Sequence, residues 1–193
     1  MKNIAIFASG SGSNAEKIME FFSESKSICV SLIVSENKNA GVLLRAANFG
    51  IKTLVINKSE LLMPINLIEA LKRNEVSLIV LAGFLQKIPK AMILEFPYQI
   101  INIHPSLLPK YGGKGMYGHN VHKAVKDNKD SVSGPTIHLV NEEYDKGQIL
   151  FQKEIKIDPR DSVEQIASKV LSIEHEEYPR VIEKYINDGH NRS

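Results

Sequence analysis

Short apolar runs separated by longer amphipathic segments constrain this chain more than any other feature. Residues 3–8, 28–34, 53–56, 78–82 and 100–103 are brief, rich in Ile, Val and Leu, and bounded by Gly, Asn, Ser or Pro, which predicts strands. Their near-continuous apolarity predicts cover on both faces. Between them, residues 14–25, 40–49 and 64–74 carry helical spacing, with Ile18, Phe21 and Phe22 in the first and Ile65, Leu67, Ile68 and Leu71 in the third. Strand alternating with helix predicts an α/β fold, Rossmann-like and doubly wound, with a mostly parallel sheet and helices on both faces.

After Pro109 the rhythm changes. Residues 110–118 hold four glycines in nine positions and predict a loop, long enough to be suspected of function. A helix is expected over 119–127, then strands over 135–140 and 149–157 that pair as a hairpin, giving the sheet a C-terminal antiparallel addition. Residues 162–187 predict a long helix with Ser162 as N-cap, Gln165 at the capping-box position and Gly189 just past its end; Pro179 is expected to kink or divide it. No repeat or linker splits the 193 residues, so one domain is expected over 1–193.

Composition narrows the partners. With 24 Lys and Arg against 22 Asp and Glu, the net charge is +2, and the basic residues form no stripe, so no nucleic-acid surface is expected. The longest apolar stretches are far below the ~20 residues a bilayer crossing needs. A single cysteine, Cys29, excludes an internal disulfide or a Cys-rich metal centre. With no signal-peptide pattern at the N-terminus, a cytoplasmic protein without membrane attachment is expected.

Three segments carry chemistry. Ser9-Gly10-Ser11-Gly12-Ser13-Asn14 falls between the first strand and the first helix, where free N–H groups and the helix dipole favour a phosphate. The same residues serve as ordinary turn and cap positions. Gly10, Gly12 and Ala15, with Glu36 after the second strand, also satisfy a relaxed dinucleotide pattern, whereas no phosphate-loop nucleotidase pattern occurs. In Asn102-Ile103-His104-Pro105, strand alternation points Asn102 and His104 to one side at the carboxyl end of a strand. An amide donor beside an imidazole suits acyl transfer, but taken in isolation the pair reads first as residues that end the strand and cap the turn. Asp145 sits in the turn between the late strands; beside His104 it would favour the imidazolium, and alone it is a solvated turn residue. His119 and His122 share a helix face without an evident third ligand, so no metal is expected. Periodicity leaves the direction of His138 open, and Glu174-His175-Glu176-Glu177 reads most simply as a solvated helix face.

Ser9-Gly10-Ser11-Gly12-Ser13-Asn14, Leu81-Ala82-Gly83-Phe84, Asn102-Ile103-His104-Pro105-Ser106-Leu107-Leu108-Pro109 and Asp145-Lys146-Gly147 occur in this order. Together they resemble the folate-dependent formyltransferase superfamily, and the N-terminal run narrows the likeness to the branch that formylates phosphoribosylglycinamide in purine synthesis. The resemblance runs from Met1 to about Tyr185. It implies direct transfer of a formyl group from 10-formyltetrahydrofolate, without metal or ATP, between small-molecule substrates on a monomer or homodimer. In this likeness Asn102 polarises the formyl oxygen, His104 stabilises the tetrahedral intermediate and assists proton transfer, and Asp145 pairs with His104. Gly12, Ser13 and Asn14 hold the substrate phosphate, and Glu174 contacts its sugar. The folate lies against Leu85, Gln86, Lys87, Ile88 and Asn102, and against Asn141, Glu142, Glu143 and Tyr144. Relatives often read Met-Arg-Ile-Leu where this chain has Leu85-Gln86-Lys87-Ile88, some carry an Arg that is missing between Ser59 and Lys72, and the Tyr111–Gly118 loop exceeds the common length. Relatives acting on initiator tRNA or hydrolysing formyl-folate need additional domains. A nicotinamide oxidoreductase would rest on Gly10, Gly12, Ala15 and Glu36 and lacks a catalytic set; a non-catalytic folate or phosphate module leaves Asn102, His104 and Asp145 without a shared purpose.

Overall fold

Each apolar run forms a strand because it is too short for a stable helix and sends successive side chains to two covered faces. A computed structural model, which describes residues 1–189, contains β1 (Lys2–Phe7), β2 (Ile28–Ser35), β3 (Lys52–Val55), β4 (Val76–Leu81), β5 (Ile100–His104), β6 (Val132–Ser133), β7 (Thr136–Leu139), β8 (Ile149–Gln152) and β9 (Ile155–Lys156). The last four residues of the expected 1–193 domain lie outside the described residues. The helices are α1 (Ser13–Phe22), α2 (Gly41–Asn48), α3 (Lys58–Leu62), α4 (Ile65–Arg73), α5 (Lys90–Glu95), α6 (His119–Asp127) and α7 (Val163–Asn187).

Seven strands make one sheet in the order β3-β2-β1-β4-β5-β7-β8. The first five are parallel, and β7 runs antiparallel to both β5 and β8. The expected strand over 149–157 divides: β8 stays in the main sheet, while β9 leaves to pair with β6 in a separate antiparallel pair. Alternation decides the core. Ile4, Ile6, Leu78 and Val80 face one layer with Ile18, Phe22, Val42 and Ile182 from α1, α2 and α7. Ala5, Phe7, Ile79 and Leu81 face the other, with Leu67, Leu71 and Met92 from α4 and α5.

The capping box expected at the start of α7 is present: Gln165 N–H donates to Ser162 Oγ, and Ser162 N–H donates to Gln165 Oε1. Of the two outcomes expected at Pro179, a kink or a division, the division does not occur: α7 continues through it. A proline in a helix interior costs about 3 kcal/mol. Here the turns on either side are pinned by buried Val170, Tyr178, Ile182 and Ile186, which offset that loss. Tyr178 is fully buried and its hydroxyl lies 2.9 Å from Leu81 O and 3.2 Å from Ile101 O, tying α7 to the carboxyl end of β4 and the first half of β5. Tyr178→Phe is expected to lower unfolding free energy by about 1–3 kcal/mol, because the carbonyls lose their shared donor. Urea melts check this; an unchanged midpoint would mean the hydroxyl contributes nothing.

Candidate active site

In an open α/β sheet the carboxyl ends of neighbouring strands diverge where the strand order reverses, and ligands bind in that crevice. Here the reversal lies between β1 and β4, and a cavity of about 1080 Å³ opens over the ends of β1, β4 and β5, closed on its far side by α6 and α7. This exceeds the usual range for one small ligand, roughly 300–1,000 Å³, and leaves space for two.

The turn after β1 forms the first wall. Gly12 is the N-cap of α1 with φ +78°, a left-handed conformation that glycine adopts without strain. A side chain there would also place Cβ 2.5 Å from Val42 Cβ and 2.8 Å from Val42 Cα, because α2 packs directly on the turn. No side chain caps α1, which leaves its leading N–H groups available to an anion. Asn14 and Gly10 line the cavity, and Gly12 and Ser13 complete the turn beside them. Gly12→Ala is expected to destabilise the fold by about 1–3 kcal/mol and to weaken anion binding at the turn. Thermal melts with and without added phosphoribosyl compound check both; a wild-type melting point would contradict the clash.

Asn14 Nδ2 donates to Glu174 Oε2 at 2.7 Å, across most of the chain. Glu174 is buried on the α7 face and lines the cavity, so it departs from the solvated face read from its acidic neighbours. Burial holds its carboxyl above the ordinary 4.5, against the opposing hydrogen bond from Asn14. A carboxyl raised in the folded state contributes stability that is complete below the unfolded value and lost as pH rises through the folded one. Glu174→Gln keeps an acceptor for Asn14, and its stability relative to wild type is expected to climb as pH rises above the ordinary carboxyl range. Urea melts at stepped pH test this; a pH-independent difference would show a carboxyl of ordinary acidity.

β5 and the late hairpin supply the second wall. Asn102 and His104 both reach the cavity, as strand alternation requires. His104 is buried; its Nε2 lies 2.8 Å from Tyr111 O, and since a carbonyl only accepts, Nε2 carries the proton. Its Nδ1 lies 3.7 Å from Asp145 Oδ2. Asp145 has φ +55°, which an aspartate tolerates, and its Oδ2 accepts the Gly113 N–H at 2.7 Å. Asp145 Oδ1 faces a second imidazole, His138 Nε2, also at 3.7 Å. The carboxylate therefore stands between two histidines.

His138 is the main addition the structure makes to the site. Its Nδ1 lies 2.8 Å from Leu139 O and so holds a proton, and its Nε2 lies 3.1 Å from Asn102 Nδ2. Burial pushes the ring below the ordinary 6.5, keeping it neutral, so Nε2 is a lone pair that accepts from the Asn102 amide. That bond fixes which end of the amide is nitrogen and leaves its second N–H for a ligand. Sequence periodicity could not choose a face for His138; its one-residue register shift against β8 is invisible without the pairing.

Leu85, Gln86, Lys87 and Ile88, after β4, line the cavity opposite Asn141, Glu143 and Tyr144. Lys87 Nζ stands 5.1 Å above the Tyr144 ring, joining the two loops. Glu142 is turned away from the cavity and pairs with Lys90 at 2.9 Å. His122, considered above only as a metal ligand, is buried in the cavity wall and held at about 4 mainly by burial, hence neutral. Among the described residues, no group of three or more His, Cys, Asp or Glu side chains could hold a metal ion, and no helix is long and apolar enough to cross a membrane.

A family model described as formyl transferase matches residues 2–182. The phosphoribosylglycinamide formyltransferase of Bacillus subtilis is 37% identical over 193 residues, covering 96% of this chain and 95% of its own. A chloroplastic phosphoribosylglycinamide formyltransferase of Arabidopsis thaliana is 44% identical over 187 residues, with 94% of this chain and 64% of its own covered. The chain thus spans less than two thirds of that plant relative, and 60% of a similar one from Vigna unguiculata. The crystal structure of phosphoribosylglycinamide formyltransferase from Bacillus halodurans superposes with a TM-score of 0.89 at 30% identity, covering 98% of each chain.

Proposed function

The chain belongs to the formyl transferase family, and from that premise we propose that it transfers the formyl group of 10-formyltetrahydrofolate to the amine of phosphoribosylglycinamide in purine synthesis. The observation that carries the reading is the convergence of Asn102, His104 and Asp145 in one cavity that also receives the start of α1. An acyl-transfer set and an anion cradle in one space fit a phosphorylated acceptor.

In this reading the phosphate sits on the turn Gly12-Ser13-Asn14 and the sugar reaches Glu174. The folate lies between Leu85–Ile88 and the 141–145 loop, against Asn102. The amine nitrogen attacks the formyl carbon, a C–N bond forms, and negative charge gathers on the formyl oxygen. In this mechanism the free N–H of Asn102 holds that charge, a type of contact worth about 3–4 kcal/mol in comparable sites. His104 takes up the proton released by the attacking amine on its free ring nitrogen, becoming imidazolium, and gives up a proton to the departing folate nitrogen as that C–N bond breaks. In the same mechanism Asp145, 3.7 Å from His104 Nδ1, balances the positive charge on the ring. One domain over residues 1–193, a monomer or homodimer, and a cytoplasmic setting belong to the same proposal.

The decisive assay mixes the protein with phosphoribosylglycinamide and 10-formyltetrahydrofolate, without added metal or ATP. Tetrahydrofolate release is followed by absorbance and a formyl-sized gain on the glycinamide by mass spectrometry. Both signals are expected in equal amount. Folate release without the mass gain would make the protein a hydrolase, and no turnover would overturn the reading.

A further inference from the structure

Glu36 is the acid that a dinucleotide pattern assigns to a ribose hydroxyl, yet in the structure it ties together two loops of the cavity. It follows the last residue of β2, half-buried, and its Oε1 accepts from Ser9 Oγ at 2.6 Å and from Gln86 Nε2 at 3.4 Å. The same Ser9 hydroxyl accepts the Leu85 N–H at 2.8 Å, while Ser9 N–H donates to Gly83 O at 3.1 Å and Asn37 Nδ2 donates to Ser9 O at 3.3 Å. Ser9 is itself buried. The turn after β1 and the loop after β4 are therefore laced through one hydroxyl and one carboxylate oxygen.

Glu36 Oε2 is buried without a partner among the described residues. A buried acceptor without a donor is unfavourable, so net stability is a poor account of the arrangement. What it accomplishes is mechanical. Ordering the β1 turn around a phosphate fixes Ser9, Ser9 fixes the Leu85 peptide, and Gln86 is steadied through Glu36; the same chain works in reverse when the β4 loop is filled. We propose that Ser9 and Glu36 are positioning residues that couple the two binding loops, so that the phosphoribosyl substrate and the folate each bind more tightly with the other in place. This rests on the two-substrate reading above, and linkage requires the effect to be equal in both directions.

The test measures tetrahydrofolate affinity with and without saturating phosphoribosylglycinamide, a pair that cannot react, in wild type, Glu36→Ala, Glu36→Gln and Ser9→Ala. Amide exchange at Leu85 is followed in the same four proteins without ligand. In wild type the affinity is expected to rise about fivefold or more with the partner bound. Glu36→Ala and Ser9→Ala should bring that ratio close to one and speed exchange at Leu85. Glu36→Gln should retain the ratio, because its amide oxygen still accepts from Ser9 and Gln86. A wild-type ratio near one, or alanine variants with unchanged ratio and exchange, would overturn the coupling. If one alanine variant fails to fold, the other decides. A wild-type protein that binds both ligands cooperatively but transfers no formyl group would sink the proposed reaction and leave the coupling standing.

Discussion

Asp145→Asn is expected to lower the rate of formyl transfer about a hundredfold or more while leaving substrate affinity within a few-fold of wild type. The side chain keeps its shape, and its oxygen can still accept the Gly113 N–H now made to Oδ2 at 2.7 Å. What is lost is the charge that stands 3.7 Å from His104 Nδ1 and 3.7 Å from His138 Nε2. An amide oriented by Gly113 turns its NH2 toward the other imidazole, where it competes with Asn102 for the His138 lone pair. The variant thus disturbs proton transfer at His104 and the orientation of Asn102 together. Steady-state kcat and KM for both substrates check this, with single-turnover measurements to isolate the chemical step. A kcat within a factor of about three of wild type would remove Asp145 from the mechanism.

Gly147→Ala is expected to abolish measurable transfer and to lower stability by about 3 kcal/mol or more, the largest structural effect anticipated from a single methyl group. A Cβ at Gly147 would overlap Leu139 O and come within 2.6 Å of the carbonyl carbon. That carbonyl accepts the Nδ1 proton of His138, and β7 is anchored between β5 and β8, so the backbone of Leu139 has little freedom to retreat. The loop carrying Asp145 would move instead, taking the carboxylate from between the histidines. Circular dichroism melts and activity measured on the same preparation test both parts. A folded, active Gly147→Ala protein would show that the hairpin turn is looser than its contacts imply.

How far the fold was legible in the sequence depended on how local its signals are. The five parallel strands, α6 and the Ser162–Gln165 cap are encoded by hydrophobic period and by residues three or four positions apart. Helices α3 and α5 went unread because five or six residues are too few for a helical period; the signal that could have found α3 is the Asn57–Glu60 capping box, in which both reciprocal bonds form. The division of residues 149–157 was hidden because pairing with β6, distant in sequence, decides where β9 turns away. At the site, the motifs named Asn102, His104, Asp145 and the Ser9–Asn14 turn by residue type and order. They could not place Glu142 outside the cavity or His138 within it.

Local signals along the chain set the layering of the fold, the glycine turn at the start of α1 and the presence of an amide and an imidazole in a central strand. These follow from backbone dihedral preference, side-chain alternation and hydrophobic period, all of which act over a few residues. Which groups share an environment was settled by packing between segments far apart in the chain. The Asn14–Glu174 bond spans 160 positions, and the Ser9–Glu36–Gln86 lacing joins three separate strand ends. Such pairs arise where the strand order reverses between β1 and β4, because the diverging loops leave a crevice that the antiparallel hairpin and α7 then enclose. Burial in that crevice turns Glu174 from a surface acid into a wall of the cavity, and His138 into the neutral acceptor that orients Asn102.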